Sequence, residues 1–219
     1  YFGAELKMAG WDMIIFEGKS AKPVYLSIEN DKAELKDASH LWGKTTWDTE
    51  EIIKKTHQDP QVRVSSIGRA GENGVLYACV VNDLHRAAGR SGVGTVMGSK
   101  NLKAIAIRGT GSIPIADVDG MISLGKEMFE ASFDAPNLKE WQAYGTGQVP
   151  TWANSIGAFP TRNFQSGWIE GNEKLAGEVM RREVVVNDKA CFSCPMACGK
   201  YSHTVSDKYD AYVEGPEYE

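Results

Sequence analysis

The chain has 219 residues, of which 42% are apolar and 24% are charged, and its formal net charge is −5 at pH 7. This length is enough for one large domain or two modest ones, and the composition is that of a globular protein. The acidic balance argues against a nucleic-acid-binding protein, and no apolar stretch reaches the ~18 residues of a membrane span.

The first half of the chain is rich in predicted strands, which clusters of glycine, asparagine and aspartate separate. The β-prone runs are residues 12–17 (DMIIFE), 24–28 (VYLSI), 62–67 (VRVSSI), 75–81 (VLYACVV) and 102–108 (LKAIAIR). Between the second and third runs, Thr46-Trp47-Asp48 begins a predicted capped helix, because acidic residues fill its first turn and lysines follow.

A different pattern begins after Ile113-Pro114. The apolar residues of 118–133 recur at helical spacing and predict an amphipathic helix, and residues 138–144 and 171–182 are also predicted to be helical. We therefore predict an α+β protein with a boundary near residues 110–116. A β-rich domain over residues 1–112 precedes the start of a helical domain over residues 113–219, which carries most of the cysteines.

Three of the four cysteines lie close together: Cys191, Cys194 and Cys198, with Cys79 far away in sequence. A disulfide framework is usually denser and more evenly spread. The chain starts at Tyr1 without the pattern of a signal peptide. We therefore expect a metal site in a protein of the cytoplasm, where thiols stay reduced. We also expect the chain to be a piece of a longer protein, since both of its ends look cut.

The cysteine cluster has the spacing C-x2-C-x3-C, in the segment ACFSCPMACG at residues 190–199. A cubane iron–sulfur cluster needs four thiolates that converge on its iron corners. A two-residue gap lets a turn present two sulfurs to one centre, and a three-residue gap places the next sulfur about one helical turn on. Pro195 and Gly199 favour tight bending. The spacing favours an iron–sulfur cluster.

Structural zinc is the alternative for these cysteines. Such sites usually combine two C-x2-C knuckles, or one knuckle with paired histidines, and here His203 is the only nearby histidine. The fourth cluster ligand is either Cys79 or a cysteine outside this chain. Cys79 lies in a predicted apolar strand, where a free cysteine behaves as a small hydrophobic residue. We favour the ligand outside this chain.

A glycine-rich segment, RAAGRSGVGTVMGSK at residues 86–100, is the second local signal. Small residues let the backbone approach a bulky anion, and Arg86 and Arg90 could clamp phosphates. The glycines do not fit the dinucleotide pattern or the Walker pattern. Taken alone, the segment is equally typical of a tight strand-to-helix turn. His85, beside Arg86, is the most suggestive of the histidines.

Together these signals resemble the aldehyde:ferredoxin oxidoreductase family of tungsten enzymes. The matching phrases follow the family order along the whole chain: residues 1–7 (YFGAELK), 16–19 (FEGK), 22–25 (KPVY), 37–43 (DASHLWG), 66–68 (SIG), 70–73 (AGEN), 82–107, 162–165 (RNFQ), the cysteine cluster and 214–219 (EGPEYE). The resemblance implies that segments before Tyr1 and after Glu219 are missing, including further pterin-contacting motifs, the fourth cluster cysteine and a catalytic histidine.

The resemblance also implies site residues. In the family, a β-rich base seats two pyranopterin groups that are joined through one metal. Arg86, Ala87, Gly89 and Arg90 match pterin-binding positions, and the carbonyl of Ala87 is expected to help hold a magnesium ion that bridges the pterin phosphates. Cys191, Cys194 and Cys198 match cluster ligands. Glu219 matches a carboxylate beside the metal, expected to be a general acid or base, and Glu217 is the weaker candidate.

The activity implied is the oxidation of an aldehyde to a carboxylic acid, in which water supplies the oxygen atom and two electrons and two protons are released. Tungsten or molybdenum on the bis-pyranopterin would accept the electrons, and a 4Fe-4S cluster would pass them to ferredoxin or an iron–sulfur subunit. An oligomer is expected. Two alternatives stay open: a subunit of the same family that reduces an aromatic thioester, and a non-catalytic iron–sulfur or zinc module for electron transfer.

Overall fold

The computed structural model describes residues 1–216, which form two compact units. The first unit runs from Tyr1 to Pro114 and the second begins at Ile115. Each unit contains helices and a sheet, so the chain is α+β.

The first unit is built on a six-stranded mixed sheet with the strand order β2-β1-β6-β3-β4-β5. The strands are β1 (Val24–Glu29), β2 (Lys32–Asp37), β3 (Arg63–Ser66), β4 (Val80–Asn82), β5 (Arg86–Ala88) and β6 (Leu102–Arg108). β1 and β6 are parallel, and the other neighbours are antiparallel. The helices of this unit are α1 (Phe2–Met8), α2 (Thr46–His57), α3 (Arg69–Glu72) and α4 (Val93–Ser99).

Both faces of the central strands are buried. Along β1, Tyr25 belongs to one core cluster, and Leu26 and Ile28 belong to the other. The first cluster includes Ile53 of α2, and the second is covered by residues of α1 and the segment that follows it. Strands buried on both faces are almost continuously apolar. This explains why β1 and β6 were predicted from the sequence and are confirmed.

Helix α2 is confirmed, and its start has a specific cause. Thr45 is the N-cap, and its hydroxyl accepts a hydrogen bond from the Asp48 amide at 3.1 Å. The Asp48 carboxylate in turn accepts from the Thr45 amide at 3.4 Å, which completes a capping box. The helix ends at His57, and the C-cap residue Gln58 has left-handed backbone angles.

Two of the predicted strands in this unit are wrong in whole or in part. Residues 12–17 form no strand. Ile14 and Phe16 pack against the core cluster that contains Leu26 and Ile28, but the backbone of these residues pairs with none of the described strands. Of residues 75–81 only the end joins β4, because residues 75–79 turn beneath α4 and leave Leu76 and Tyr77 more than four-fifths exposed. Strand β2 was not predicted, because it is a charged, exposed edge strand.

The second unit combines helices with a three-stranded antiparallel sheet, which the prediction of a helical domain did not include. Its helices are α5 (Val118–Phe133), α6 (Leu138–Tyr144), α7 (Val149–Ser155) and α8 (Gly177–Glu183). Its strands are β7 (Val185–Lys189), β8 (Gly199–Val205) and β9 (Asp210–Glu214), in the order β7-β8-β9. These strands carry mostly polar residues, so their sequences lack the apolar alternation that identifies a half-buried strand.

Helices α5 and α6 are confirmed with their predicted bounds. The helix predicted over residues 171–182 is instead divided into a short 3-10 turn (Asn172–Leu175) and α8, because Ala176 between them has an extended backbone. Across residues 1–216, we find no helix with the length and apolar character needed to cross a membrane.

Candidate cofactor and cluster sites

The predicted pterin-binding residues lie at the edge of the first unit's sheet. Arg86 and Ala87 belong to β5, the last strand in the described sheet order, so one row of its backbone groups faces away from β4. Gly89 and Arg90 follow directly, in the connection to α4. Residues 87–91 are all exposed, and Arg86 is half-buried. The structure thus places these candidates on one continuous, accessible ribbon.

Three glycines of the segment are needed for packing within the unit. A Cβ on Gly92 would lie 1.9 Å from the Leu76 carbonyl oxygen, and one on Gly94 would lie 2.4 Å from that of Cys79. A Cβ on Gly98 would lie 2.0 Å from the Gly71 carbonyl oxygen. These glycines let α4 approach the preceding backbone closely. The strand-to-helix alternative from the sequence therefore explains this part of the segment.

Gly89 is different, because a Cβ added to it would meet no atom within 4 Å. With Ala87 and Ala88 on one side and Arg90 on the other, it forms a stretch of small side chains beside a guanidinium group. An open backbone next to arginine suits a bulky phosphate-bearing ligand. The residues present therefore fit a pterin phosphate group.

The hairpin that leads into β5 has a strained tip. Asp83 and Leu84 both have positive φ angles, 48° and 68°. The ring of His85 makes an edge-on contact with that of Trp47, with 5.1 Å between centroids. The side chain of Asp83 is only 11% exposed, and Arg63 approaches it at 3.9 Å. His85 is thus packed beside the candidate ribbon, in contact with α2.

The cysteine segment is the loop of a hairpin. Lys189 at the end of β7 pairs with Gly199 at the start of β8, so residues 190–198 form the connection. Cys191 lies near its start, Cys194 near its middle and Cys198 at its end. Strand pairing therefore brings the first and last cysteines of the motif to the same end of the sheet.

Two turns shape this loop. The Cys194 amide donates to the Cys191 carbonyl at 3.2 Å, and Ser193 within that turn has a φ of 53°. A second turn follows, with Ala197 at φ 47°. Left-handed backbone angles at Ser193 and Ala197 thus bend the chain on either side of Pro195 and Met196.

The accessibility and grouping of the sulfurs constrain what they can bind. Cys191 and Cys194 are exposed free thiols, and Cys198 is half-buried. No group of three His, Cys, Asp or Glu side chains in residues 1–216 could hold a single metal ion. A cubane binds each thiolate at a separate iron corner, and this donor set fits it.

A charged network at the base of the loop was not predicted from the sequence. Lys200 on β8 is 1% exposed, and its ammonium donates to Asp188 on β7 at 2.8 Å. Arg181 of α8 also contacts Asp188. Hydrogen bonds from Arg181 and then from Lys200 hold the pKa of the Asp188 carboxyl below its usual range. Asp188 therefore stays ionised. In the sequence, the network was indicated only by an acidic residue before the cysteine motif, Asp188, and a basic residue after it, Lys200.

The two acidic candidates, Glu217 and Glu219, lie outside the described residues. Their predicted role as a general acid or base rests on the match of residues 214–219 (EGPEYE) to the family.

Models of known protein families match both units of the chain. A family model described as "Aldehyde ferredoxin oxidoreductase, N-terminal domain" matches residues 1–109. A second, described as "Aldehyde ferredoxin oxidoreductase, domains 2 & 3", matches residues 123–219.

Curated relatives match over the whole chain. The "Tungsten-containing aldehyde ferredoxin oxidoreductase" of Thermococcus kodakarensis is 45% identical over 220 residues, which covers 100% of this chain and 36% of that protein. The protein of the same description from Pyrococcus abyssi is 46% identical, with the same coverage. The "Aliphatic sulfonate oxidoreductase, WOR-like subunit" of Pyrococcus furiosus is 33% identical and covers 99% of this chain and 37% of that subunit. The chain spans about a third of the length of these relatives.

A solved structure is also similar. It is described as "Active site complex BamBC of Benzoyl Coenzyme A reductase in complex with 1,5 Dienoyl-CoA". The TM-score is 0.72 at 32% identity, and the match covers 98% of this chain and 34% of that chain.

Proposed function

Because the chain belongs to the aldehyde ferredoxin oxidoreductase family, we propose that its protein oxidises aldehydes to carboxylic acids at a tungsten or molybdenum bis-pyranopterin centre. The 45% identity to tungsten-containing aldehyde ferredoxin oxidoreductases along the entire chain is the observation that carries this proposal. The identity to the sulfonate oxidoreductase subunit, and to the BamBC structure, is lower, at 33% and 32%.

The exposed ribbon at β5 is the proposed seat of the pterin phosphates. Arg86 and Arg90 would hold phosphate oxygens through charge-assisted hydrogen bonds, and Gly89 would leave space for the ligand. The Ala87 carbonyl would contribute to a magnesium ion between the two phosphates. When bound, the metal–pterin group supplies two-electron redox chemistry that amino-acid side chains lack.

Protons must leave the site together with the electrons. We assign this role to Glu219, with Glu217 as the weaker candidate, from their positions in the EGPEYE phrase. A carboxylate in a dry site can have its pKa raised toward the working pH, which suits a general acid or base.

The hairpin loop of the second unit is the proposed seat of a 4Fe-4S cluster. Cys191, Cys194 and Cys198 would supply three thiolates, and the fourth would come from Cys79 or from a cysteine outside this chain. Such a cluster accepts and donates single electrons, so it would connect two-electron aldehyde oxidation to ferredoxin or to an iron–sulfur subunit. The cytoplasm, which keeps thiols reduced, is the expected compartment, and an oligomer is the expected assembly.

The second candidate is a subunit that reduces an aromatic thioester with the same type of cofactor. The likeness to the BamBC structure over 98% of the chain favours it. The aldehyde activity is preferred, because the identity to the aldehyde enzymes is 45% against 32% for that structure.

The test is metal analysis and turnover of holoprotein purified without air. Tungsten or molybdenum together with iron, and aldehyde-dependent reduction of ferredoxin or a viologen dye, are the expected results. Turnover of a dienoyl-CoA or benzoyl-CoA thioester without aldehyde oxidation would establish the second candidate. Iron alone would indicate an electron-transfer module, and zinc alone a structural one; either result would refute the enzyme.

A further inference from the structure

The cysteine loop is held from outside by helix α6. The side-chain amide of Gln142 donates to the Pro195 carbonyl in the middle of the loop, at 3.3 Å. Gly145, just after the helix, passes so close to the loop that a Cβ on it would lie 2.5 Å from the Cys198 carbonyl oxygen. Helix α6 therefore sets the position of two of the loop's segments.

The same helix is bound at its C-terminal end by two cations. The Lys200 ammonium donates to the Gln142 carbonyl at 2.5 Å, and the Arg181 guanidinium donates to the Ala143 carbonyl at 3.3 Å. Carbonyls in the last turn of a helix lack partners within the helix, and the helix dipole favours positive charge there. Asp188 joins the two cations, since both contact its carboxylate.

Lys200 is the buried centre of this arrangement. It stands directly opposite Asp188 in the pairing of β8 with β7, at the point where the two strands open into the loop. A lysine is rarely this buried, and the loss of its partners would leave a charge away from water. Lys200 lies two residues after Cys198, on the strand that follows the loop. Its hydrogen bonds connect this strand, β8, to β7 and to α6.

We propose that Lys200 is a positioning residue for the cysteine loop: its ammonium ties β7, β8 and α6 together and so holds the thiolates in the arrangement that a cluster requires. The part of this proposal that concerns the cluster rests on the proposed function, in which residues 190–198 bind a 4Fe-4S cluster. The contacts of Lys200 with Asp188 and Gln142 stand independently of any bound group.

The test compares Lys200→Met with Lys103→Met in the holoprotein, by hydrogen exchange and by the spectroscopy of the cluster. Lys103 is the matched control, because it is equally buried but belongs to the first unit. In Lys200→Met, amides of residues 190–198 should exchange on the order of tenfold faster or more, since two charge-assisted hydrogen bonds are lost. Exchange in β3 should stay unchanged in that variant, whereas Lys103→Met should show the opposite pattern.

The cluster provides a second readout. Lys200→Met should lose iron faster to a chelator, change the electron paramagnetic resonance spectrum of the reduced cluster, and shift its midpoint potential, because the loop that surrounds the cluster is held less firmly. Lys103→Met should leave the spectrum and the potential as in the wild type. Unchanged loop exchange, iron retention and spectrum in Lys200→Met would overturn the proposal.

Two further outcomes separate the proposal from the assigned function. A wild-type protein without iron, whose loop exchange still responds to Lys200→Met, would refute the cluster and retain the positioning role. If Lys200→Met fails to fold, Asp188→Asn serves instead, because it removes the charge partner through which Lys200 ties β8 to β7. Faster exchange near Cys194 in that variant is then expected, and unchanged exchange would count against the proposal.

Discussion

Lys103 and Glu72 form an ion pair inside the first unit, with side-chain exposures of 0% and 3%. The ammonium of Lys103 also donates to the carbonyls of Ile67 and Lys44, at 2.8 and 3.0 Å. The second carboxylate oxygen of Glu72 accepts from the Gly43 amide at 2.8 Å. The pair therefore joins β6, α3 and the segment before α2, with every donor of the ammonium group satisfied.

Replacement of Glu72 by Gln should destabilise the first unit by about 3–5 kcal/mol, because it leaves a buried ammonium without its counter-charge. The measurement is the free energy of unfolding in urea. Glu51→Gln is the control, since Glu51 pairs with Lys55 on the exposed surface of α2. Its effect should be close to zero, and equal effects of the two substitutions would contradict the assignment.

The loss of unfolding free energy in Glu72→Gln should become smaller as the pH rises. Burial lowers the pKa of Lys103, and the bond to Glu72 opposes that shift. Without Glu72 the pKa in the folded state falls further below the lysine value of about 10.4. Between the lowered pKa and that value the unfolded chain binds more protons, so stability increases with pH. If the difference in unfolding free energy between Glu72→Gln and the wild type does not change with pH in this interval, the predicted role of Lys103 is contradicted.

Replacement of Gly98 by Ala should destabilise the protein by about 1–3 kcal/mol, although alanine normally favours a helix. The reason is the 2.0 Å approach of the new Cβ to the Gly71 carbonyl oxygen. Gly89→Ala is the control, because its Cβ would enter open space. Thermal unfolding should separate the two variants, and an unchanged melting temperature in Gly98→Ala would refute the packing role.

Replacement of Cys194 by Ser should abolish the visible absorbance of the iron–sulfur cluster and stop electron transfer to the external acceptor, since a thiolate ligand is lost. Iron content and absorbance of anaerobically purified protein are the measurements. Cys79→Ser should retain the cluster if the fourth ligand lies outside this chain. Loss of iron in both variants would identify Cys79 as that ligand, and retention of iron in Cys194→Ser would refute the loop assignment.

Replacement of Arg86 by Ala should lower the tungsten or molybdenum content of the protein. Charge-assisted hydrogen bonds contribute ~1.5–3 kcal/mol each, so the affinity for the cofactor should fall by roughly one to two orders of magnitude. Arg182→Ala is the matched control, because Arg182 is an exposed arginine that pairs with Glu183. Full metal content and normal turnover in Arg86→Ala would show that the phosphates bind elsewhere.

Replacement of Glu219 by Gln should keep the metal and the cluster but slow turnover ~100- to 10,000-fold, the usual contribution of a general acid or base. Glu217→Gln is the comparison, and it should lose much less activity. The two variants are assayed with the same aldehyde across a pH range. Near-normal turnover in Glu219→Gln would move the proton-transfer role to Glu217 or to a residue outside this chain.

Local sequence was sufficient to predict elements whose signal lies within the element itself. The apolar runs of β1 and β6 reflect burial on both faces, and α2 and α5 show helical periodicity and capping residues. The spacing of the cysteines and the order of the family phrases were equally local. These features determined the α+β class, the candidate site residues and the family.

Tertiary structure decided the features that depend on partners far away in sequence. The polar strands β7, β8 and β9 become a sheet only through pairing with one another, and the close approach between α4 and Gly71 explains glycines that resemble a ligand-binding loop. Lys103 and Lys200 look like solvated residues in the sequence. Each is buried because a carboxylate, at Glu72 or Asp188, is brought to it by the fold. Hydrophobic periodicity is a property of one segment, whereas a buried ion pair exists only after two segments have met.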